Sequence, residues 1–129
     1  MNALFYAHSG FRYVVFLLGV AAIVYALYGL VTRRPLDKPM RILGAAFAGS
    51  FHLQVLLGVA VIFTGRFGGI VAGHVILMVL AAATAQVVPS VMRRRPPERR
   101  SWLPYLVGAV VALALAAVGV MALGRPVIG

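Results

Sequence analysis

Three histidines are the residues best suited to chemistry in this very apolar chain. His8, His52 and His74 fall in three successive apolar stretches of a sequence that is 63% hydrophobic and 11% charged. An ionisable side chain inside a membrane-spanning stretch is costly and is a functional-site hypothesis by default. A neutral imidazole can also hydrogen-bond between helices, so a structural role stays open for each histidine taken alone.

Carboxylates and thiols are missing from these stretches. The two acidic residues, Asp37 and Glu98, lie in basic loops, and the chain has no cysteine. Paired-carboxylate catalysis and the proton-coupled export of small four-helix multidrug exporters both need carboxylates that this chain lacks within its spans. Covalent c-type haem, cysteine-ligated iron–sulfur clusters, thiolate metal sites and disulfides all need cysteine. A b-type haem or a histidine-bound metal remains.

The expected depths of the three histidines differ. If helices begin near positions 4 and 68 and rise about 1.5 Å per residue, His8 and His74 lie roughly 6 and 9 Å below the same end of the bundle. Counted back from position 64, His52 lies roughly 18 Å deep. His8 and His74 are therefore predicted to be nearly level, with His52 close to the middle of the bilayer.

Two level histidines on different helices suit bis-imidazole ligation of a haem, because the iron holds its axial nitrogens on opposite faces of one plane. Arg12 follows His8 by four residues and so shares its helix face, while Arg66 lies in the turn at the same end. Two arginines there are candidates to hold the haem propionates by bidentate ion pairs. Arg12 can equally be a side chain that reaches for lipid phosphate.

A histidine-bound metal is the competing chemistry. His8, His52 and His74 together would supply three imidazoles for copper or zinc. The expected depth offset of His52, roughly 9 to 12 Å, is too large for one metal site unless the helix boundaries shift by about two turns. The sequence therefore favours haem over copper or zinc.

The elements that must position these residues are four transmembrane helices. A mean hydropathy of +1.01 is too high for a soluble domain. Four uncharged stretches each reach the roughly 20 residues that span a hydrocarbon core as helix, and they lack the alternation of barrel strands. They are 13–32, 42–65, 67–92 and 101–124.

Short connections make sequential helices antiparallel neighbours. The predicted fold is an all-α integral membrane protein, a single domain over residues 1–129 with an up-down-up-down bundle of four transmembrane helices at about 4–32, 41–64, 68–92 and 101–124. No basic residue precedes the first apolar run and no small-residue cleavage site follows it, so helix 1 is expected to remain in the mature protein.

The net charge of +10 is concentrated in two loops. Nine of the twelve basic residues flank the same side of the bundle: Arg33, Arg34, Lys38, Arg41, Arg93, Arg94, Arg95, Arg99 and Arg100. The positive-inside rule places both loops in the cytoplasm and both termini outside. This distribution favours a lipid bilayer, and no nucleic acid, as the partner of the positive charge.

Three motifs resemble one family. The stretches "HSGFRY", "FHLQVLLGVAVIF" and "GHVILM", within residues 8–78, are similar to those of small bacterial four-helix membrane proteins described as cytochrome b-like. That group shows a His-Ser-x-x-Arg opening, a His-x-Gln-Leu-Leu-Leu-Gly-type second helix and a histidine, often after Glu, at the start of the third. The matching positions are His8, Ser9, Arg12, His52, Gln54, Gly58 and His74.

This chain departs from the family pattern at two positions. Gly73 stands where many relatives have Glu, and Val55 stands where they have Leu. The glycine removes a hydrogen-bonding partner for a ligand and would leave room for a flat ring. The resemblance implies haem b as the cofactor.

The working hypothesis is a b-type haem protein of the bacterial cytoplasmic membrane that transfers single electrons near the outer face. His8 and His74 would ligate the iron, and His52 with Gln54 would form a deeper polar pair for the head group of a quinone. His52 as a replacement for one ligand stays open. An electron carrier or a subunit of an oxidoreductase is expected rather than a stand-alone enzyme, in a homo-oligomer or a larger membrane complex.

Two alternatives belong to other classes. One is an accessory subunit whose histidines hydrogen-bond between helices and whose fourth helix docks on a larger complex. The other is a membrane protein that handles copper or zinc through its histidines.

Overall fold

The structure is a computed structural model that describes residues 3–63 and 69–124. Four long helices follow one another: α1 (Ala3–Val31), α2 (Lys38–Ile62), α3 (Gly69–Arg94) and α4 (Leu103–Met121), with a short 3-10 turn at Pro97–Arg99 before α4. Each of the four is long and apolar enough to cross a membrane. The predicted all-α membrane fold is confirmed.

Specific capping residues determine two of the helix ends. Asp37 precedes α2 and its carboxylate accepts a hydrogen bond from the backbone N–H of Met40 at 3.0 Å, so α2 begins three residues earlier than predicted. At the end of α1, Arg33 takes a left-handed backbone with φ of 55°. The N–H of Arg34 then donates to the carbonyl of Gly29 at 3.2 Å, which closes the last turn.

The helices form a ring in which each packs against the next, and α4 packs against α1. The arrangement is consistent with the predicted up-down-up-down bundle. α1 and α3 face each other across the diagonal, and no pair of their Cα atoms within the described residues lies within 8 Å. This wider diagonal is where the bundle has room for a cavity.

The end of the bundle that carries the basic loops is tightly packed. Trp102 is 4% exposed and lies so close over Gly29 that a side chain at that glycine would meet the indole ring. The Trp102 Nε1 donates a hydrogen bond to the backbone carbonyl of Arg34 at 2.6 Å. Tyr105 lies over Gly44 in the same manner. The rings of Trp102 and Tyr105, packed directly on these glycines, fill this half of the bundle. We call this half the basic end.

Candidate functional site

A cavity of about 560 Å³ lies in the other half of the bundle. Ligand pockets in proteins typically measure about 300 to 1,000 Å³ and are mostly apolar with a few placed polar groups. All four helices contribute to the wall. The polar lining residues are His8, Ser9, Arg12, Gln54 and His74, and apolar residues that line the cavity include Phe5, Phe16, Phe51, Val55, Val75, Met78, Ala116 and Val120.

His8 on α1 and His74 on α3 meet inside this cavity. Their ring centroids are 6.3 Å apart and the ring planes are nearly perpendicular, at 82°. The structure thus brings together the two histidines that the depth estimate places at one level. They approach each other across the open diagonal of the bundle.

The protonation pattern of His74 follows from its partner. Its Nδ1 lies 2.8 Å from the backbone carbonyl oxygen of Gly119 on α4. A carbonyl oxygen only accepts hydrogen bonds, so Nδ1 carries the hydrogen and Nε2 keeps its lone pair in the neutral ring. Metal-bound histidines usually donate their second N–H to a carbonyl or carboxylate in this way, which fixes the orientation of the ring.

His8 is held by contacts with α2. An added Cβ at Gly58 would lie 3.1 Å from His8 Cε1, so the imidazole occupies the space that a side chain would take. The Gln54 Nε2 donates to the backbone carbonyl of His8 at 2.8 Å and links the two helices. His8 Nδ1 and Gln54 Oε1 are both buried without a hydrogen-bond partner among the described residues. Such unsatisfied buried atoms are uncommon and call for an explanation.

Arg12 lies in the wall one turn along α1 from His8. Its guanidinium donates to Ser9 Oγ at 2.9 Å and to the hydroxyl of Tyr13 at 2.8 Å, and lies 4.7 Å from the centre of the Tyr13 ring. Arg12 is therefore anchored at the cavity by neighbours on its own helix. This position is the one that the propionate and lipid-phosphate interpretations both require.

The distance between the two rings fits a shared metal centre. Two imidazole nitrogens, each about 2 Å from one metal ion, are about 4 Å apart, and their ring centres are then about 6 Å apart. The distance of 6.3 Å between the two ring centroids in the structure agrees with this value. A b-type haem needs two imidazole nitrogens for its iron. The residues present fit this group: Nε2 of His74 keeps its lone pair, the ring of His8 occupies the space beside Gly58, and the cavity wall is apolar.

His52 lies elsewhere. Its exposed side chain points away from the cavity, and its Nε2 is 2.7 Å from Oε1 of Gln86 on α3. The predicted pairing of His52 with Gln54 is not formed, because residues two apart on a helix point about 200° away from each other. Gln54 faces the cavity and His52 faces outward. His52 is therefore not placed to share a haem or a metal ion with His8 and His74 in one chain.

The three-imidazole metal site is likewise not assembled. No group of three histidine, aspartate or glutamate side chains comes together among residues 3–63 and 69–124. Arg66, the second predicted propionate partner, lies outside the described residues. Gly73 is exposed, and an added Cβ there would meet open space, so this glycine does not provide room in the cavity.

The sequence does not predict two polar contacts between helices, one in the cavity wall and one outside it. Gly119 provides the carbonyl for His74 and allows α3 to come close, since an added Cβ there would lie 2.6 Å from the end of the Met78 side chain. The sequence of α4 is uniformly apolar. It gives no sign that a backbone carbonyl in this helix accepts a hydrogen bond from His74. Gln86 is a polar residue within an apolar stretch, and a polar side chain at membrane depth is by itself an indication of an interhelical contact.

Comparisons of this chain with protein-family models, curated proteins and solved structures found no match. The resemblance to cytochrome b-like proteins therefore rests on the three motifs of the sequence.

Proposed function

We propose that this protein binds a b-type haem in the cavity between α1 and α3 and transfers single electrons. The observation that carries the proposal is the pair of His8 and His74 rings, 6.3 Å apart inside the cavity, with Nδ1 of His74 bound to a carbonyl. The resemblance to cytochrome b-like proteins supports it.

When bound, the haem supplies an iron that is reduced and oxidised by one electron. The chain itself supplies the ligands and the surroundings. The Gly119 carbonyl orients His74, Gly58 leaves space for His8, and Gln54 ties α2 to the backbone at His8. Arg12 provides a cation at the wall for a propionate. The apolar lining keeps water away from the iron and so influences its potential.

The environment of this chemistry is a lipid bilayer, which the four apolar helices support. The positive-inside rule favours a cytoplasmic location for the basic end in a bacterial membrane, and the histidine pair would then lie toward the outer face. The haem would exchange electrons there, with quinol as the donor in the membrane and an acceptor at the outer surface. A homo-oligomer or a larger membrane complex is the expected assembly.

The test is the reduced-minus-oxidised absorption spectrum of the full chain, purified in detergent after expression with ample haem. We expect a b-type spectrum in the wild type. His8→Ala and His74→Ala should lose it, because each removes one of the two imidazoles that would hold the iron. His52→Ala is the matched control and should keep it, since this ring faces outward. A folded wild type without haem absorption would refute the proposal.

An accessory role is the second candidate, because His52 and His74 both make hydrogen bonds between helices, to Gln86 and to the Gly119 carbonyl. Such bonds stabilise membrane bundles by about 0.6 kcal/mol on average. A folded wild type without haem, copper or zinc by absorption and elemental analysis would favour this role. Bound copper or zinc would instead favour the metal-handling alternative.

A further inference from the structure

A second polar cluster lies outside the cavity, on the face between α2 and α3. His52 Nε2 lies 2.7 Å from Gln86 Oε1, and Gln86 Nε2 donates to Ser90 Oγ at 2.8 Å. We call these three residues the outer polar chain. His52 itself is exposed. On a protein in a bilayer, this face meets hydrocarbon rather than water.

The hydrogen bonds give the outer polar chain a direction. Because the Gln86 amide N–H₂ is directed at Ser90, its oxygen is directed at His52 and must accept from the imidazole. His52 therefore carries its hydrogen on Nε2, and Nδ1 is an acceptor. Within the described residues Nδ1 makes no hydrogen bond. The outer polar chain therefore ends at the lone pair of Nδ1, on an exposed side chain.

The depth of this acceptor restricts what can reach it. His52 is ten residues from the end of α2 at Ile62, about 15 Å along the helix axis. In a hydrocarbon core about 30 Å thick, this is close to the middle. Water is scarce there, and an unpaired polar atom is costly. The partner that fits is a hydrogen-bond donor that dissolves in lipid.

The surface around His52 has space for a flat ring. Ala45 and Gly49 lie seven and three residues before His52, which places them on the same side of α2, and both are exposed. An added Cβ at Gly49 would meet nothing within 4 Å. Leu56, one turn after His52, is also exposed and offers an apolar surface.

We propose that this face binds the head group of a quinol, with one phenolic hydroxyl donating to Nδ1 of His52 and the apolar tail lying along α2. The proposal rests on the proposed function, in which a quinol is the electron donor. The neighbours Phe51 and Val55 line the cavity, so the bound head group and the haem would be separated by the wall that α2 forms. His52 lies six residues, about 9 Å along the axis, from Gly58, which contacts His8.

The test compares two lipid-soluble probes, one that can donate a hydrogen bond and one that cannot. Decylubiquinol, kept reduced, has two phenolic hydroxyls, and its dimethyl ether has none. The full chain in lipid nanodiscs should bind the quinol about fivefold more tightly than the ether, the effect of one hydrogen bond. His52→Leu should abolish this preference. Gln86→Leu should reduce it, because Nδ1 is then no longer the fixed acceptor.

Leu53→Ala is the control variant, since Leu53 is exposed beside His52 and has no polar group. It should keep the fivefold preference. Equal binding of quinol and ether by the wild type, or a preference that survives in His52→Leu, would overturn the proposal. A dimer that dissociates in His52→Leu, with the quinol preference unchanged, would also overturn it and would identify the face as a contact between copies of the chain.

The two proposals fail separately. A wild type without haem absorption that still prefers quinol through His52 would refute the haem proposal and support this one. A normal b-type spectrum with no quinol preference would refute only this one. His52→Leu should retain the haem spectrum of the wild type, which also shows that the variant is folded.

Discussion

At the scale of single residues, His8 and His74 differ in how they are held. His74 is oriented by a backbone carbonyl, a partner that no side-chain substitution removes, while His8 depends on the space at Gly58 and on neighbouring Gln54. The buried Nδ1 of His8 and Oε1 of Gln54 lack partners among the described residues. Of the two proposed ligands, His8 is therefore the one more sensitive to changes in α2.

This difference predicts that Gly58→Ala weakens haem binding about tenfold, in the range seen when a ligand loses its orienting contacts. The added Cβ would lie 3.1 Å from His8 Cε1 and displace the ring by a few tenths of an ångström. The measurement is a haem titration of the haem-free protein, followed by absorption. Gly49→Ala makes the same change on α2 where nothing lies within 4 Å, and should bind haem like the wild type. Equal affinity of both variants for haem would contradict the position of the His8 ring beside Gly58.

At the residue scale, the sequence predicts the depth of the histidines along their helices, but not the direction in which the His52 side chain points. The rise per residue predicts that His8 and His74 are level, and the structure places them in contact. The predicted pairing of His52 with Gln54 is not formed, because residues two apart on a helix are rotated by about 200° about its axis, and His52 bonds to Gln86 instead. The hydrogen bond between His74 and the Gly119 carbonyl cannot be predicted from the sequence, because every residue has a backbone carbonyl.

At the scale of helices, the charged residues predicted the number of spans well and their ends less well. The predicted second helix begins at Arg41, whereas α2 already begins at Lys38. Long basic side chains can extend from a helix end to the membrane surface, so a charge does not have to mark the end of a helix. Arg93 and Arg94 similarly occupy the last turn of α3, where positive charge is favourable to the helix dipole.

The contact between α1 and α4 gives a stability prediction. Gly29→Ala should lower the free energy of unfolding by about 1 to 3 kcal/mol, because the new methyl group overlaps the indole of Trp102. Displacing the indole also strains its hydrogen bond to the Arg34 carbonyl. The measurement is unfolding in mixed micelles, followed by circular dichroism.

Gly10→Ala provides the matched control on the same helix, since an added Cβ at Gly10 meets nothing within 4 Å. Alanine is a better helix former than glycine by up to about 1 kcal/mol, so this variant should be as stable as the wild type or slightly more stable. If Gly29→Ala unfolds no more easily than Gly10→Ala, the indole does not lie where the structure has it.

At the scale of the whole molecule, the bundle is closed at one end and hollow at the other. Aromatic rings over Gly29 and Gly44 fill the basic end, while the opposite half holds a cavity of about 560 Å³. The charge pattern predicts which end faces the cytoplasm, but the cavity depends on the distance between α1 and α3, which no local pattern encodes. The histidine pair spans that diagonal.

The central claim is that His8 and His74 ligate one haem with their rings as the structure has them. The most direct test is the electron paramagnetic resonance spectrum of the oxidised wild type. Perpendicular imidazole planes leave two of the iron orbitals nearly equal in energy, which gives a low-spin ferric signal of large anisotropy. The rings stand at 82°, so we expect that signal. A low-spin signal typical of parallel rings, a high-spin signal or no ferric haem signal at all would contradict the account.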